Sequence, residues 1–219
     1  MRMVAALDGD HTVHFSRLRV TSVPPEGAGR KQFEPGPMVT AAKLLADARV
    51  DVIVWNGTSG GMEGLEADRK IVEAIEAATS TPATTGTLAT IEAFSELGIR
   101  RYGLVVAYTA ALTSRVVSTF ASAGFECVAS THEGLTANWD FSQVSPSIIA
   151  DRARNVARAQ PQGIAVFCTN LCGAPVVDLL EGELGVPVVD SVIVCLWAAF
   201  HVLGRKPALK GWGRLLARY

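Results

Sequence analysis

Short apolar runs alternate along the chain with longer segments in which apolar residues recur every three or four positions. Continuous runs are typical of parallel strands buried on both faces, whereas the longer spacing is typical of helices. The pattern predicts strands at 50–55, 102–107, 125–129, 163–167 and 186–189, and helices at 38–47, 65–78, 87–97, 112–123, 146–159, 176–184 and 192–203. Alternating apolar and polar residues predict a further strand over 13–20, and segments 23–37 and 133–145 are predicted to be loops.

The regular alternation of strands and helices predicts an α/β fold with parallel sheets that are covered by helices on both faces. One pattern occurs twice: an apolar run ends in small polar residues and then continues into a helix. The first copy is residues 52–59 and the second is residues 163–170. This weak internal repeat predicts two similar halves. Ligands of such sheets bind at the carboxyl ends of the strands, where both turns lie.

The two polar turns are candidate anion-binding sites. The first is Gly57-Thr58-Ser59 and the second is Cys168-Thr169-Asn170. Backbone N–H groups at a helix start are unpaired and favour negative charge, so two such turns facing each other are suited to a small carboxylate. Only the second turn carries a thiol. Cys168 is either a small buried apolar residue or, with a pKa lowered at a helix start, an acid, base or nucleophile.

Two further hydroxyl groups are candidates for chemistry. Tyr108 ends the strand run 103–107, and its hydroxyl is either a donor to a carboxylate or a hydrated group at the core edge. Residues 57–61 match the G-x-S-x-G pattern of serine hydrolases, with Ser59 as the nucleophile. The histidines that follow are poor partners, because His132 lies in a polar segment and His201 inside an apolar helix. We therefore favour anion binding at this turn.

Composition excludes several classes of function. The formal net charge of −1 gives no support for binding nucleic acid or a membrane surface. The longest apolar stretch, 192–203, is too short to span a bilayer, and we find no signal peptide. We expect no metal and no cofactor, because no second Cys/His pair and no nucleotide-binding motif is present. The cysteines are expected to be free thiols of a cytoplasmic protein, and we predict that Cys127, Cys172 and Cys195 are small buried residues.

With these residues in place, the chain resembles the aspartate/glutamate racemase superfamily, and in particular its maleate cis-trans isomerase and arylmalonate decarboxylase branch. The resemblance is carried by residues 13–20, 57–59, 105–108, 168–171 and 184–188. It implies two Rossmann-like α/β subdomains with parallel sheets, related by a pseudo-twofold axis, and a cofactor-free active site in the cleft between them. We predict residues 1–86 plus 190–219 as the first subdomain and 87–189 as the second. Family members begin with a strand and a loop that touches the substrate, and residue 1 is expected to follow both.

The resemblance also implies roles for the candidate residues. Racemases and maleate isomerases of this type carry one cysteine in each half, whereas here Gly57 stands at the first position and only Cys168 remains. This arrangement resembles that of the decarboxylases, in which a single cysteine supplies a proton, although residues 170–172 are more similar to the isomerases. The implied substrate contacts come from the two turns and the end of the third strand run, namely Gly57, Thr58, Ser59, Tyr108, Thr169 and Asn170.

The sequence therefore predicts a cofactor-independent, cysteine-dependent enzyme that passes a small carboxylate or dicarboxylate through an enediolate-like state. Decarboxylation with one catalytic cysteine is the main hypothesis. Maleate isomerisation and racemisation of the Asp/Glu type stay open, although two-base racemisation needs a side chain at position 57. A serine hydrolase using Ser59 and a non-catalytic carboxylate-binding protein are the alternatives from other classes. The expected partner is a small carboxylate, and association into a homo-oligomer stays open.

Overall fold

The computed structural model describes residues 2–7, 9, 11–24 and 28–217. It contains two parallel sheets. The first pairs β1 (Ile53–Trp55) with β2 (Ala83–Thr85). The second has the order β4-β3-β5-β6, formed by β3 (Arg101–Val106), β4 (Glu126–His132), β5 (Gly163–Val166) and β6 (Val188–Asp190). The prediction of an α/β fold with two parallel sheets is confirmed.

Helices separate the strands. In chain order they are α1 (Arg2–Ala5), α2 (Pro35–Ala46), α3 (Gly60–Glu63), α4 (Leu65–Thr79), α5 (Gly86–Glu96), α6 (Ala110–Ser122), α7 (Asn138–Phe141), α8 (Pro146–Ala157), α9 (Val177–Leu184), α10 (Ser191–Val202) and α11 (Arg214–Ala217). Short 3₁₀ helices span Ala28–Phe33 and Ala174–Val176. Helix α10 follows the last strand of the second sheet but packs against the first sheet and α5. The proposed division at residues 86/87 and 189/190 stays a prediction.

The core is continuous between the two sheets. The rings of Phe94 on α5 and Tyr102 on β3 lie 5.2 Å apart, and both contact Phe120 on α6. Phe120 in turn packs edge to face against Phe167, at the end of β5, with 5.1 Å between ring centroids. Edge-to-face aromatic pairs add directional packing to the gain from burial. These contacts join the start of β3 and the residue after β5 to α5 and α6.

Side-chain caps begin the helices directly after several strands. Thr85 ends β2, and its hydroxyl accepts the N–H of Leu88 in the first turn of α5. Asp190 ends β6, and its Oδ1 accepts the N–H groups of Val192 and Ile193 in α10. A cap of this kind satisfies N–H groups that have no partner within the helix. Strands β2 and β6 are therefore followed directly by α5 and α10.

Two sequence predictions are wrong in detail. Residues 13–20 form no strand, because among the described residues no neighbouring strand lies beside them, and Val13 and Phe15 are exposed. The segment is held at its end, where Leu18 and Val20 pack against the core and Asn138 donates its side-chain N–H to the carbonyl of Val20 and its backbone N–H to that of Thr21. The predicted loop 133–145 contains α7, whose first residue makes these bonds.

The apolar pattern also misplaced one cysteine. Cys195 is buried and Cys127 is half-buried, but Cys172 is exposed, because it lies in the polar turn after β5 rather than in the apolar run itself. Within the described ranges, all four cysteines are free thiols. No helix in the same ranges is long and apolar enough to cross a bilayer.

Candidate active site

All seven residues predicted for the site line one cavity, which has a volume of about 660 Å³. The turn after β1, the turn after β5 and Tyr108, two residues after β3, all contribute to its wall. The predicted residues on this surface are Gly57, Thr58, Ser59, Tyr108, Cys168, Thr169 and Asn170. The remaining wall is formed mainly by β1, residues 11–18 and one side of α10. The cavity therefore opens where the carboxyl ends of strands from both sheets meet.

A chain of hydrogen bonds joins the two turns. The Oγ1 of Thr58 lies 2.8 Å from the Oη of Tyr108, and the Tyr108 hydroxyl is also hydrogen-bonded to the thiol of Cys168. All three side chains are buried. Burial raises the pKa of Tyr108 well above its usual value of 10.0, so the phenol keeps its proton and can donate it to sulfur. Thr58 can then donate to the phenol oxygen, so the hydrogen bonds run from Thr58 to Tyr108 and from Tyr108 to the thiol.

The surroundings of Cys168 favour the neutral thiol. Burial raises the pKa of Cys168 above its usual 9.0, and the charge of Asp190 acts in the same direction. The backbone N–H groups of Asn170 and Leu171 and the Tyr108 hydroxyl oppose this rise by hydrogen bonding to sulfur. At neutral pH the group therefore carries a proton, while three donors are already in place to stabilise the thiolate that would remain after proton transfer.

Position 57 leaves no room for a side chain. A Cβ atom built on Gly57 would lie 2.3 Å from both Cε2 and Cζ2 of Trp55 and 2.8 Å from its Nε1. The same Nε1 donates a hydrogen bond of 3.1 Å to the Oγ of Ser59. Separations under 3.0 Å between a Cβ and a rigid ring cannot be accommodated without moving the ring. The indole of Trp55 therefore lies against Gly57 and is held there by Ser59.

The side chain of Asn170 is already engaged. Its Nδ2 donates to the backbone carbonyl of Asn138 at 2.5 Å and is 3.3 Å from the Oδ1 of the same residue. Its backbone N–H points at the sulfur of Cys168. Of the contacts predicted for Asn170, the backbone N–H is directed into the site, whereas the amide instead connects the turn to α7.

Two buried carboxyl groups support the turns, and the sequence analysis did not single them out. Asp68 on α4 accepts a 2.5 Å hydrogen bond from the hydroxyl of Thr85, and a Cβ on Gly60 would lie 2.3 Å from its Cγ. Asp190 lies behind the second turn, where a Cβ on Gly173 would lie 2.6 Å from its Oδ2. Burial raises the pKa of Asp68 to about 6 and that of Asp190 to about 7. The position of Asp190, between an apolar run and a helix, is an N-cap pattern that could have identified it.

The donor atoms do not form a metal site or a hydrolase site. Across the described ranges, no group of three or more His, Cys, Asp or Glu side chains is placed to bind a metal ion. The hydroxyl of Ser59 accepts its hydrogen bond from Trp55, and no histidine within the described residues is bonded to it. His201 instead stacks on Trp197, with 4.5 Å between ring centroids. Among the described residues, Ser59 therefore has no hydrogen-bonded histidine to act as its general base, although His11 and His14 line the same cavity.

Comparison with known proteins agrees with the fold. The family model described as arylmalonate decarboxylase matches residues 33–216. The chain is 28% identical to the arylmalonate decarboxylase of Bordetella bronchiseptica over 204 residues, which cover 91% of this chain and 84% of that protein. A crystal structure of a double mutant of arylmalonate decarboxylase in a liganded form superimposes with a TM-score of 0.85 at 25% identity, covering 92% of this chain and 86% of that one.

The fold is shared equally with an isomerase. A mutant of the maleate cis-trans isomerase of Nocardia farcinica, solved with a covalently bound succinylcysteine intermediate, superimposes with a TM-score of 0.91. The match covers 100% of this chain and 91% of the isomerase at 19% identity, which shows the fold alone. The predicted superfamily is confirmed. This chain belongs to the arylmalonate decarboxylase family of enzymes, which lies with the maleate isomerases in the aspartate/glutamate racemase superfamily.

Proposed function

We propose that this chain is a cofactor-independent enzyme that decarboxylates a small malonate-type acid, with Cys168 as the only proton donor. The observation that carries the proposal is the neutral, buried thiol of Cys168, which lines the same cavity as the first turn and has hydrogen-bond donors ready for its conjugate base. An acid that protonates carbon must hold its proton before the reaction and lose it easily during the reaction. The surroundings of this sulfur meet both requirements.

The first turn is suited to hold the carboxylate that remains on the product. The backbone N–H groups of Thr58 and Ser59 donate to no backbone carbonyl among the described residues, and both hydroxyls line the cavity. As charge develops on the carboxylate oxygens, donors fixed in advance stabilise it without reorganisation, and losing one typically costs about 100- to 1,000-fold in rate. Tyr108 adds a hydroxyl between this turn and the thiol.

The reaction balances without an external oxidant or reductant. The bond between the α-carbon and one carboxylate breaks, carbon dioxide leaves, and the electron pair remains as an enediolate on the other carboxylate. The S–H proton of Cys168 is transferred to the α-carbon. The thiolate is stabilised by the N–H groups of Asn170 and Leu171 until it takes a proton from water. Because one acid is present, the proton arrives on one face and the product has a single hand.

The test compares two neighbouring cysteines. Cys168→Ala removes the proposed acid, whereas Cys172→Ala changes an exposed thiol four residues later and serves as the matched control. Both variants and the parent are assayed for turnover of arylmalonates, maleate and amino diacids. We expect Cys168→Ala to lower kcat by about 100- to 10,000-fold and Cys172→Ala to leave it unchanged. Full turnover by Cys168→Ala on the true substrate would refute the proposal.

The same assays separate the remaining hypotheses. Turnover of maleate with no release of carbon dioxide from malonates would assign the chain to the isomerases. Interconversion of amino-diacid enantiomers would assign it to the racemases. Labelling of Ser59 by a fluorophosphonate would support a hydrolase, and binding of dicarboxylates without any turnover would support a binding protein. Each of these outcomes contradicts decarboxylation, so the proposal depends on carbon dioxide release that requires Cys168.

A further inference from the structure

The inference concerns Trp55, the last residue of β1, which lies against the first turn. Its indole lines the cavity and is half-buried, and its Cε2 and Cζ2 atoms occupy the space into which any side chain at position 57 would project. The hydrogen bond from Nε1 to the Oγ of Ser59 fixes the orientation of the ring. The ring is therefore held by this hydrogen bond at one edge and by the backbone of β1 at its attachment to the chain.

The internal repeat allows the surroundings of Gly57, including the Trp55 ring, to be compared with those of Cys168. Gly57 and Cys168 are equivalent residues, each placed directly after the run that ends a strand and at the start of a polar turn. At the second turn, the equivalent of Trp55 is Val166, which is fully buried, and the side chain of Cys168 projects into the cavity. At the first turn, the indole fills the corresponding space. The first turn thus differs from the second in two ways: it lacks the thiol, and the Trp55 indole takes the space that a side chain at position 57 would need.

We propose that Trp55 is a specificity-determining residue: its indole excludes any acid–base side chain from position 57 and so restricts proton transfer to the face served by Cys168. This inference rests on the proposed function for its stereochemical consequence, but its steric part stands on the geometry alone. It predicts that Gly57→Cys by itself does not create a second working thiol. The ring must also be removed before a side chain at position 57 reaches the cavity.

The steric part is tested without any assay of activity. Gly57→Cys is prepared in the parent and in Trp55→Ala, and thermal unfolding is measured for all four proteins. In the parent, Gly57→Cys is expected to lower Tm by about 3–10 °C, because a Cβ collides with a rigid ring. In Trp55→Ala, the same substitution is expected to cost less than about one third as much. An equal fall of Tm in both backgrounds would overturn the inference.

Two controls keep this test decisive. Trp139 is 73% exposed on α7, so Trp139→Ala is the matched tryptophan substitution and is expected to give no relief of Gly57→Cys. Relief by Trp139→Ala would overturn the inference, since it would show a non-specific effect. Should Trp55→Ala not fold, Trp55→Leu replaces the ring by a smaller apolar side chain, and the same Tm differences are compared.

The stereochemical part is tested in deuterated water on the substrate that the parent turns over. Gly57→Cys alone is expected to give product of one hand, whereas the double variant with Trp55→Ala is expected to lower the enantiomeric excess and to exchange the α-hydrogen of the product. Product of one hand from both variants would overturn this part. Absence of turnover by the parent on every acid would refute the proposed function, while the Tm comparison would still decide whether Trp55 excludes a side chain.

Discussion

Substituting Asp190 by Asn should remove a specific part of the pH dependence of folding stability. Asp190 is fully buried, and its Oδ1 caps α10 through the N–H groups of Val192 and Ile193, while Oδ2 has no hydrogen-bond partner among the described residues. An Asn side chain can keep the accepting oxygen and lose only the charge. The substitution therefore separates the capping role of the residue from its ionisation.

The magnitude follows from the pKa of the buried group. Burial raises the pKa of Asp190 from its ordinary value of 3.8 to about 7. Between these two values the folded protein keeps a proton that the unfolded chain has released. The free energy of unfolding therefore falls as the pH rises through this window, by about 1.4 kcal/mol per pH unit. The total is about 4 kcal/mol, reached near pH 7 and constant above it.

The assay is chemical denaturation of the parent and Asp190→Asn at pH 5, 6, 7 and 8. We expect the stability difference between the two proteins to change by about 2 kcal/mol in favour of Asn as the pH rises from 5 to 7, and to change little from 7 to 8. Asp68, whose pKa is raised to about 6, contributes a similar slope to both proteins and cancels in the comparison. Parallel pH profiles for parent and variant would refute the reasoning.

Two other predictions concern the hydrogen bonds of the site. Tyr108→Phe removes the hydroxyl that donates to the thiol, so the pKa of Cys168 should rise further and kcat should fall by about 10- to 100-fold. The rate of thiol alkylation as a function of pH, measured together with kcat, checks this prediction. An unchanged alkylation profile would contradict it. Asn170→Ala removes the bonds to α7 but keeps the backbone N–H, so we expect a loss of about 1 kcal/mol in denaturation with a rise in KM larger than the fall in kcat. A large fall in kcat at constant KM would instead indicate that the amide acts in the reaction.

The fold was largely predictable because its strands are buried on both faces. A strand such as Gly163–Val166 must be apolar at every position, so it is visible as a run in the sequence. The segment 13–20 shows the limit of such patterns. Its alternation is compatible with a strand, but a strand exists only where a partner supplies hydrogen bonds, and partner choice is not encoded in a local pattern.

The candidate site was predictable in its residues but not in its contacts. The position of Cys168 after a strand follows from the local sequence. The position of the Trp55 indole against Gly57 depends instead on its side-chain rotamer and on its hydrogen bond to Ser59. The engagement of Asn170 by Asn138 joins residues 32 apart and has no local signal. The sequence shows that Gly57 has no side chain, whereas the structure shows that the Trp55 ring takes the space which a side chain there would need.

The bond between Thr58 and Tyr108 has a consequence for how the protein admits its ligand. Thr58 follows a strand of one sheet and Tyr108 follows a strand of the other, so their 2.8 Å contact links the two sheets. A hinge motion that widened the entrance would have to break it, and the phenol would then lose the donor that polarises it. Opening would also let water reach the sulfur, and because burial is the main cause of the raised pKa of Cys168, the thiol would hold its proton most firmly while the entrance is closed.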